Sequence, residues 1–370
     1  QKAFDLFKQG HIDEAIDLFK KNEQKAKMPS IREKAEEMRQ LADSAESLAQ
    51  RDIDESMKQA KAYVEALKYK GEWEEAGRLL KELADAFGTF EAIWDYAEFA
   101  RQKNQYAEAE TYYKLCKDKI APLVKTNPEL YELQLAEVSI NLGKIYYCTK
   151  RFNESEQMYK TAIAIYEQLY EGAPQQYQSR LADGYYWYGM AMINSNKYHD
   201  AIDPFERSLK LCKDMTNDET GKSLYALNLS CLDVLYSNDK DYATAYSYNK
   251  ELLSLLKANY EGNAATWKSE YCGKLISQSF YANLLGKFGE GELHSLEALK
   301  VDSTRHLAYT NLAAAYLLQG KYQDAEKLYR QYKNEFKEGL LTDLDELAKA
   351  GVIPSERMAD VEKIKKMLNE

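Results

Sequence analysis

The chain has 370 residues, 30% of them charged, and a formal net charge of −10, which disfavours an affinity for nucleic-acid phosphates. No apolar run approaches the ~20 residues of a membrane-spanning helix, and the first residues given carry no signal-peptide pattern. Five dispersed cysteines (Cys116, Cys148, Cys212, Cys231, Cys272) and four histidines without ligand spacing argue against a zinc site. Such thiols favour a reducing compartment, the cytoplasm, while a periplasmic or membrane-anchored setting stays open because the chain starts without methionine, inside a repeat.

One pattern recurs along the chain. A ring or large aliphatic residue (Ile12, Trp73, Tyr106, Phe152, Tyr198, Tyr242, Phe288, Tyr322) precedes a small one by three places. The small partners are Ala15, Ala76, Ala109, Ser155, Ala201, Ala245, Gly291 and Ala325. Twelve residues before each lies a second such place: Ala3, Val64, Ala97, Gly143, Gly189, Asp233, Ser279 and Ala313. Closely crossing helices need small side chains at the contact and large ones around it. Turn formers (Gly10, Gly71, Asn104, Asn196, Gly286, Gly320) sit between the two.

In chain order, residues 1–29 read as a truncated first repeat. Residues 30–56 read as a long Ala-rich helix whose stripe Ile31, Ala35, Met38, Ala42, Ala45, Ala49 would pack on the array or pair two chains through 31–57. A tandem array fills 57–336, with repeats starting near 57, 90, 136, 182, 226, 272 and 306. Three departures, Asp233 at a small place and Asn249 and Ser295 four residues after Ala245 and Gly291, where other repeats carry a large residue such as Tyr113, Phe205 or Tyr329, predict loose packing in the sixth and seventh repeats. Residues 337–370 read as two capping helices, the first lined by Leu340, Leu341, Leu344 and Leu347. Between repeats, Asn127-Pro128-x-x-Tyr131 recurs as Ala173-Pro174-x-x-Tyr177, so proline opens lengthened helices there.

The pattern resembles the tetratricopeptide repeat (TPR), best at Ile140–Ile163 and Tyr309–Tyr332, in the elongated form of kinesin light chains and of bacterial multidomain TPR proteins. The resemblance implies an all-α solenoid, a right-handed TPR superhelix of about eight helix–turn–helix repeats. It also implies a non-enzymatic scaffold that binds a protein or peptide segment in a concave groove. The alternatives are a peptide-sensing regulatory module of a larger signalling protein and, remotely, an enzyme. No cofactor is expected.

In such repeats each first helix faces the groove with places −3, +1 and +4 from its small residue, which fall within about 60° of one another. Read out, this stripe is charged at first (Lys61, Glu65, Lys68), then mixed (Trp94, Glu98, Arg101; Ile140, Lys144, Tyr147) and then apolar (Tyr186, Met190, Ile193). The sixth repeat is polar (Ser230, Val234, Ser237), and the last two offer Ile276, Phe280 and Asn283, then Thr310, Ala314 and Leu317, which the C-terminal helices could cover. The expected peptide contacts are Trp94, Tyr147, Tyr186 and Met190 as anchors, with Arg101 and Lys144 for acidic groups. Asn141 and Asn311 would bond the peptide backbone. A clamp for a terminal carboxylate, as in chaperone-binding repeats, is not expected, since Lys61 is followed by Glu65 one turn on. No catalytic or nucleotide-binding motif occurs. The triplet Gly286, Gly289, Gly291 sits in an inter-helix turn with no strand before it. Of the thirty tyrosines, ten (Tyr106, Tyr113, Tyr146, Tyr159, Tyr198, Tyr236, Tyr242, Tyr316, Tyr322 and Tyr329) occupy large-residue places of the repeat, where a ring fills a helix interface and keeps its hydroxyl wet, so most of the tyrosine excess reads as structural.

Overall fold

Among the described residues, the seven turns that precede a ring place close the same way. In the computed structural model the residue two places before each ring place has positive φ: Gly71 (80°), Asn104 (59°), Lys150 (61°), Asn196 (61°), Lys240 (64°), Gly286 (73°) and Gly320 (83°). The residue after it donates back across the turn, as from Arg151 N to Tyr146 O at 2.7 Å and from Lys321 N to Tyr316 O at 2.9 Å. This left-handed close satisfies the last carbonyls of the first helix and starts the second.

The structure describes residues 57–58, 60–215 and 218–370, with Glu14, Glu36 and Gln40. The truncated first repeat, the Ala-rich helix and the pairing stripe at 31–57 fall almost wholly outside the described residues. After a helical stretch at 60–70 come α1 (Trp73–Phe87), α2 (Phe90–Gln102), α3 (Tyr106–Thr126), α4 (Pro128–Cys148) and α5 (Phe152–Gly172). Then follow α6 (Pro174–Asn194), α7 (Ile202–Cys212), α8 (Glu219–Asn238), α9 (Tyr242–Gly262) and α10 (Ala264–Leu284). The last are α11 (Phe288–Val301), α12 (His306–Leu318), α13 (Tyr322–Lys349) and α14 (Met358–Asn369). No strand occurs among the described residues. The chain forms two compact units, Gln1–Leu115 and Cys116–Glu370, whose boundary falls within α3.

The ring place is the first residue of the second helix in six hairpins, from Trp73 to Tyr322. Tyr198 is the exception: it lies in a turn and α7 starts only at Ile202, because Pro204 has no N–H to extend the ladder backward. Pro128 and Pro174 each occupy the first position of a 21-residue helix, and α5 is equally long, whereas α1 and α2 have 15 and 13 residues. The wider repeat spacing is thus shared between both helices of a hairpin.

In the second unit, α4 to α12 pack as consecutive antiparallel helices, each on its neighbours in sequence. The small places lie at the crossings and are sealed: Ala201, Ala245, Ser279 and Ala325 have no exposed surface. At α4/α5 the approach is close enough for Ser155 Oγ to donate to Gly143 O at 2.9 Å. The expectation of loose sixth and seventh repeats is corrected. Asp233 is 1% exposed and receives Lys274 Nζ at 2.6 Å and Tyr281 OH at 2.6 Å. Asn249 is buried and donates to Lys274 O (2.9 Å) and Gln278 Oε1 (2.6 Å), and the hydroxyls of Ser279 and Ser295 meet at 2.7 Å. These side chains are buried and hydrogen-bonded across helices, although Asn249 Oδ1 and Gln278 Nε2 are buried without a partner.

Candidate functional site

The first helices α4 and α6 bring their outward residues together. Lys144 Nζ reaches Asp183 Oδ2 at 2.9 Å, and the indole N–H of Trp187 donates to Asp183 Oδ1 at 3.0 Å. Lys144 also lies 5.6 Å from the Trp187 ring centroid, a cation–π distance. Tyr147 packs edge-on against Trp187 with centroids 5.5 Å apart, and its hydroxyl accepts from Asn194 Nδ2 at 3.1 Å. Asn194 also donates to the carbonyl of Met190, whose side chain is half-buried beside them. The Lys144 and Asp183 side chains stay 28% and 39% exposed, so the cluster has an open side.

The other expected contacts are placed differently. Tyr186 is 9% exposed, packs edge-on against Phe205 (5.8 Å) and Trp187 (5.5 Å), and burial pushes its phenol up to about 12. Asn141 is half-buried and donates to Glu137 O of its own helix at 3.2 Å. Asn311 is buried and donates to Ile276 O at 3.0 Å, bridging two first helices of the array.

Within the first unit, Trp94 is half-buried, with Phe90 stacked at 5.9 Å and Tyr113 edge-on at 5.3 Å. The Arg101 guanidinium grips Glu98 through two nitrogens, and Tyr113 OH donates to the same carboxylate at 2.6 Å. Burial pushes the Glu98 carboxyl upward, but hydrogen bonds from Arg101, Tyr113 and Gln102 outweigh it and hold it at about 2. Beside it Lys61, Glu65 and Lys68 line a shallow polar recess with Asp95 and Gln102, where Lys61 pairs with Asp95 at 2.7 Å.

Sequence reasoning missed Asp183, Trp187 and Asn194. Taking Gly189 as zero, these are places −6, −2 and +5, about 120°, 160° and 140° around the helix from the packed direction. The stripe read from sequence sits at about 40–100°, nearer the packed direction than the open arc, and two of its members, Ile140 and Tyr186, are buried. A helical wheel centred opposite the small residue would have found the open arc.

No group of three or more His, Cys, Asp or Glu is placed to hold a metal ion, and no helix is long and apolar enough to cross a membrane, among the described residues.

Hairpins of this geometry, stacked in sequence and exposing their first helices, define an α-helical repeat array. A family model described as "Tetratricopeptide repeat" matches residues 135–174 and 307–331, so the chain carries tetratricopeptide repeats. Among solved structures it is similar to the C-terminal part of a TPR repeat-containing protein from Cytophaga hutchinsonii (15% identity, 84% of this chain and 98% of that one covered, TM-score 0.48). It is also similar to a signal transduction ATPase with a tetratricopeptide repeat sensor from Pyrococcus horikoshii (18%, 83% and 43%, 0.49). A third is BtubC from P. vanneervenii (17%, 68% and 91%, 0.44). At these identities the likeness concerns the fold alone. A comparison with curated proteins finds no match.

Proposed function

We propose that the chain is a non-enzymatic interaction scaffold that binds a peptide or helical segment of a partner protein across the first helices of its central repeats. Supporting this is the half-open cluster of Lys144, Tyr147, Asp183, Trp187, Met190 and Asn194: two rings, a thioether, an amide and one charge of each sign in a single patch. Aromatic residues and methionine are the types that anchor interface centres. The Lys144–Asp183 pair is exposed enough to be worth only ~0–1 kcal/mol, so a ligand carboxylate replaces Asp183 at little cost. In the first unit, Trp94 and Arg101 are proposed contacts of the same kind, although Arg101 must share its charge with Glu98.

The test is a random peptide display library panned on the purified chain. Enriched peptides should carry an acidic residue near one or two apolar anchors. Their affinity should fall by about tenfold or more for Lys144→Glu, a loss of ~1.4 kcal/mol. Peptides indifferent to Lys144→Glu and Met190→Ala would refute this binding face.

A further inference from the structure

The first-helix face is open through the middle of the array and shut at its end. At the place one residue beyond the small residue, Lys144 and Met190 are half-exposed and Val234 is 49% exposed, whereas Ala314 in the last repeat is 5% exposed. Three residues further on, Tyr147, Ile193 and Ser237 are half-exposed, but Leu317 is 0% exposed. In the seventh repeat Phe280 is half-buried and Asn283 is 3% exposed, and another part of the chain joins the apolar cluster at this end.

That part is the second half of α13. The helix is interrupted at Phe336, whose backbone (φ −127°, ψ 21°) is not helical, and it continues to Lys349. Beyond the bend, Leu340, Leu344 and Leu347 recur at i, i+4 and i+7 and are 0–2% exposed. They share one apolar cluster with Ala314 and Leu317 of the last repeat and with Phe280 and Leu284 of the preceding one. Helix α13 also packs on α10, and Glu346 lies near enough to Tyr242, the ring neighbour of Phe280, to help raise its phenol. This is how an amphipathic helix seats its apolar face in a groove. Helix α14 backs the segment through Val361, Ile364 and Leu368, with Lys365 paired to Asp345 at 2.7 Å.

The docked segment carries a misfit. Asp343, beside Leu344, is half-buried, and no ion pair holds it among the described residues. Burial, then the nearby Glu346, pushes its carboxyl up to about 6. A permanent core element gains nothing from such a residue, whereas a segment that leaves its groove returns the carboxylate to water.

We propose that the first-helix face of the last two repeats is a docking groove for an amphipathic helix, and that residues 337–349 are its displaceable resident. The incoming partner is a helix with large apolar residues at i, i+4 and i+7, competing with Leu340, Leu344 and Leu347. The central cluster need not bind anything for this to hold.

Two measurements on the full chain test it. Amide exchange of the unaltered chain should show residues 337–349 exchanging about tenfold or more faster than α12; equal protection overturns displacement. A fluorescent peptide of residues 337–370 should bind Leu340→Glu/Leu344→Glu about tenfold or more tighter than the unaltered chain, because the groove has been vacated. If that variant keeps its helical signal and does not bind the peptide, the groove is not a docking site. If α4 to α9 lose protection in it, the segment is an integral end of the array and the proposal fails.

Discussion

One substitution made at two places should act with opposite sign. Gly143 lies in α4 at its crossing with α5, where a Cβ would stand 2.7 Å from Cε1 of Tyr159 and 3.0 Å from Cδ1 and Cζ. Tyr159 has no exposed surface and its hydroxyl has no hydrogen-bond partner, so the ring is walled in on all sides. Overpacking of this kind costs ~1–3 kcal/mol, against ~1 kcal/mol gained from the better helix preference of alanine. Gly143→Ala should therefore lose ~1 kcal/mol or somewhat more. Gly273 lies inside α10 with nothing within 4 Å of its would-be Cβ, so Gly273→Ala should gain ~0.5–1 kcal/mol. The readout is urea unfolding of each variant followed by circular dichroism, with amide exchange of α4/α5 and α9/α10 to localise the change, since repeat arrays unfold in parts. Equal effects, or a Gly143→Ala chain as stable as the parent, would mean that the crossing has slack and that small residues are not what sets it.

Three further outcomes follow from particular contacts. Lys150 holds φ 61° without being glycine, so Lys150→Gly should stabilise the α4/α5 turn by ~1 kcal/mol, read as a raised urea midpoint. Lys274→Met should cost ~3–5 kcal/mol, because it strips the buried Asp233 of its cation, and Lys274→Arg should recover part of that loss in the same melt. Alkali should unfold the chain. Burial and hydrogen bonds to Glu108, Glu167 and Glu290 raise the phenols of Tyr96, Tyr185 and Tyr246 to about 12. Phenols with raised folded values bind more protons than the unfolded chain between pH 10 and 12, so stability is complete below pH 10 and falls across that window. Absorbance of ionised tyrosine should accordingly lag in the folded chain, and a single ionisation near pH 10 would contradict the burial.

The helical hairpin was legible in the sequence because its determinants are local and repeat in phase: a small residue at each crossing, a ring opening the second helix, a glycine or asparagine in the turn. Lys150 and Lys240 were not legible as left-handed residues, since the neighbouring helices impose that conformation on side chains that do not prefer it. Nor were the polar contacts across helices. Asp233, Asn249 and Ser295 read as packing faults, yet each meets a partner from 16 to 48 residues away. The tyrosines read as packing residues, yet Tyr113, Tyr236, Tyr271 and Tyr281 also donate their hydroxyls to Glu98, Glu206, Glu297 and Asp233 on other helices. Of the candidate site, Lys144, Tyr147 and Met190 fall on the open patch. Tyr186 falls behind it, for the angular reason that also hid Trp187 and Asp183.

The binding face itself is tested most directly by the methyl signals of the chain's nine methionines. On titration with a panned peptide, the Met190 ε-methyl should shift together with the indole N–H of Trp187. Met358, 54% exposed and remote from α4 and α6 in sequence, should stay in place. Saturating peptide that leaves Met190 and Trp187 unmoved would contradict a partner seated on the central first helices.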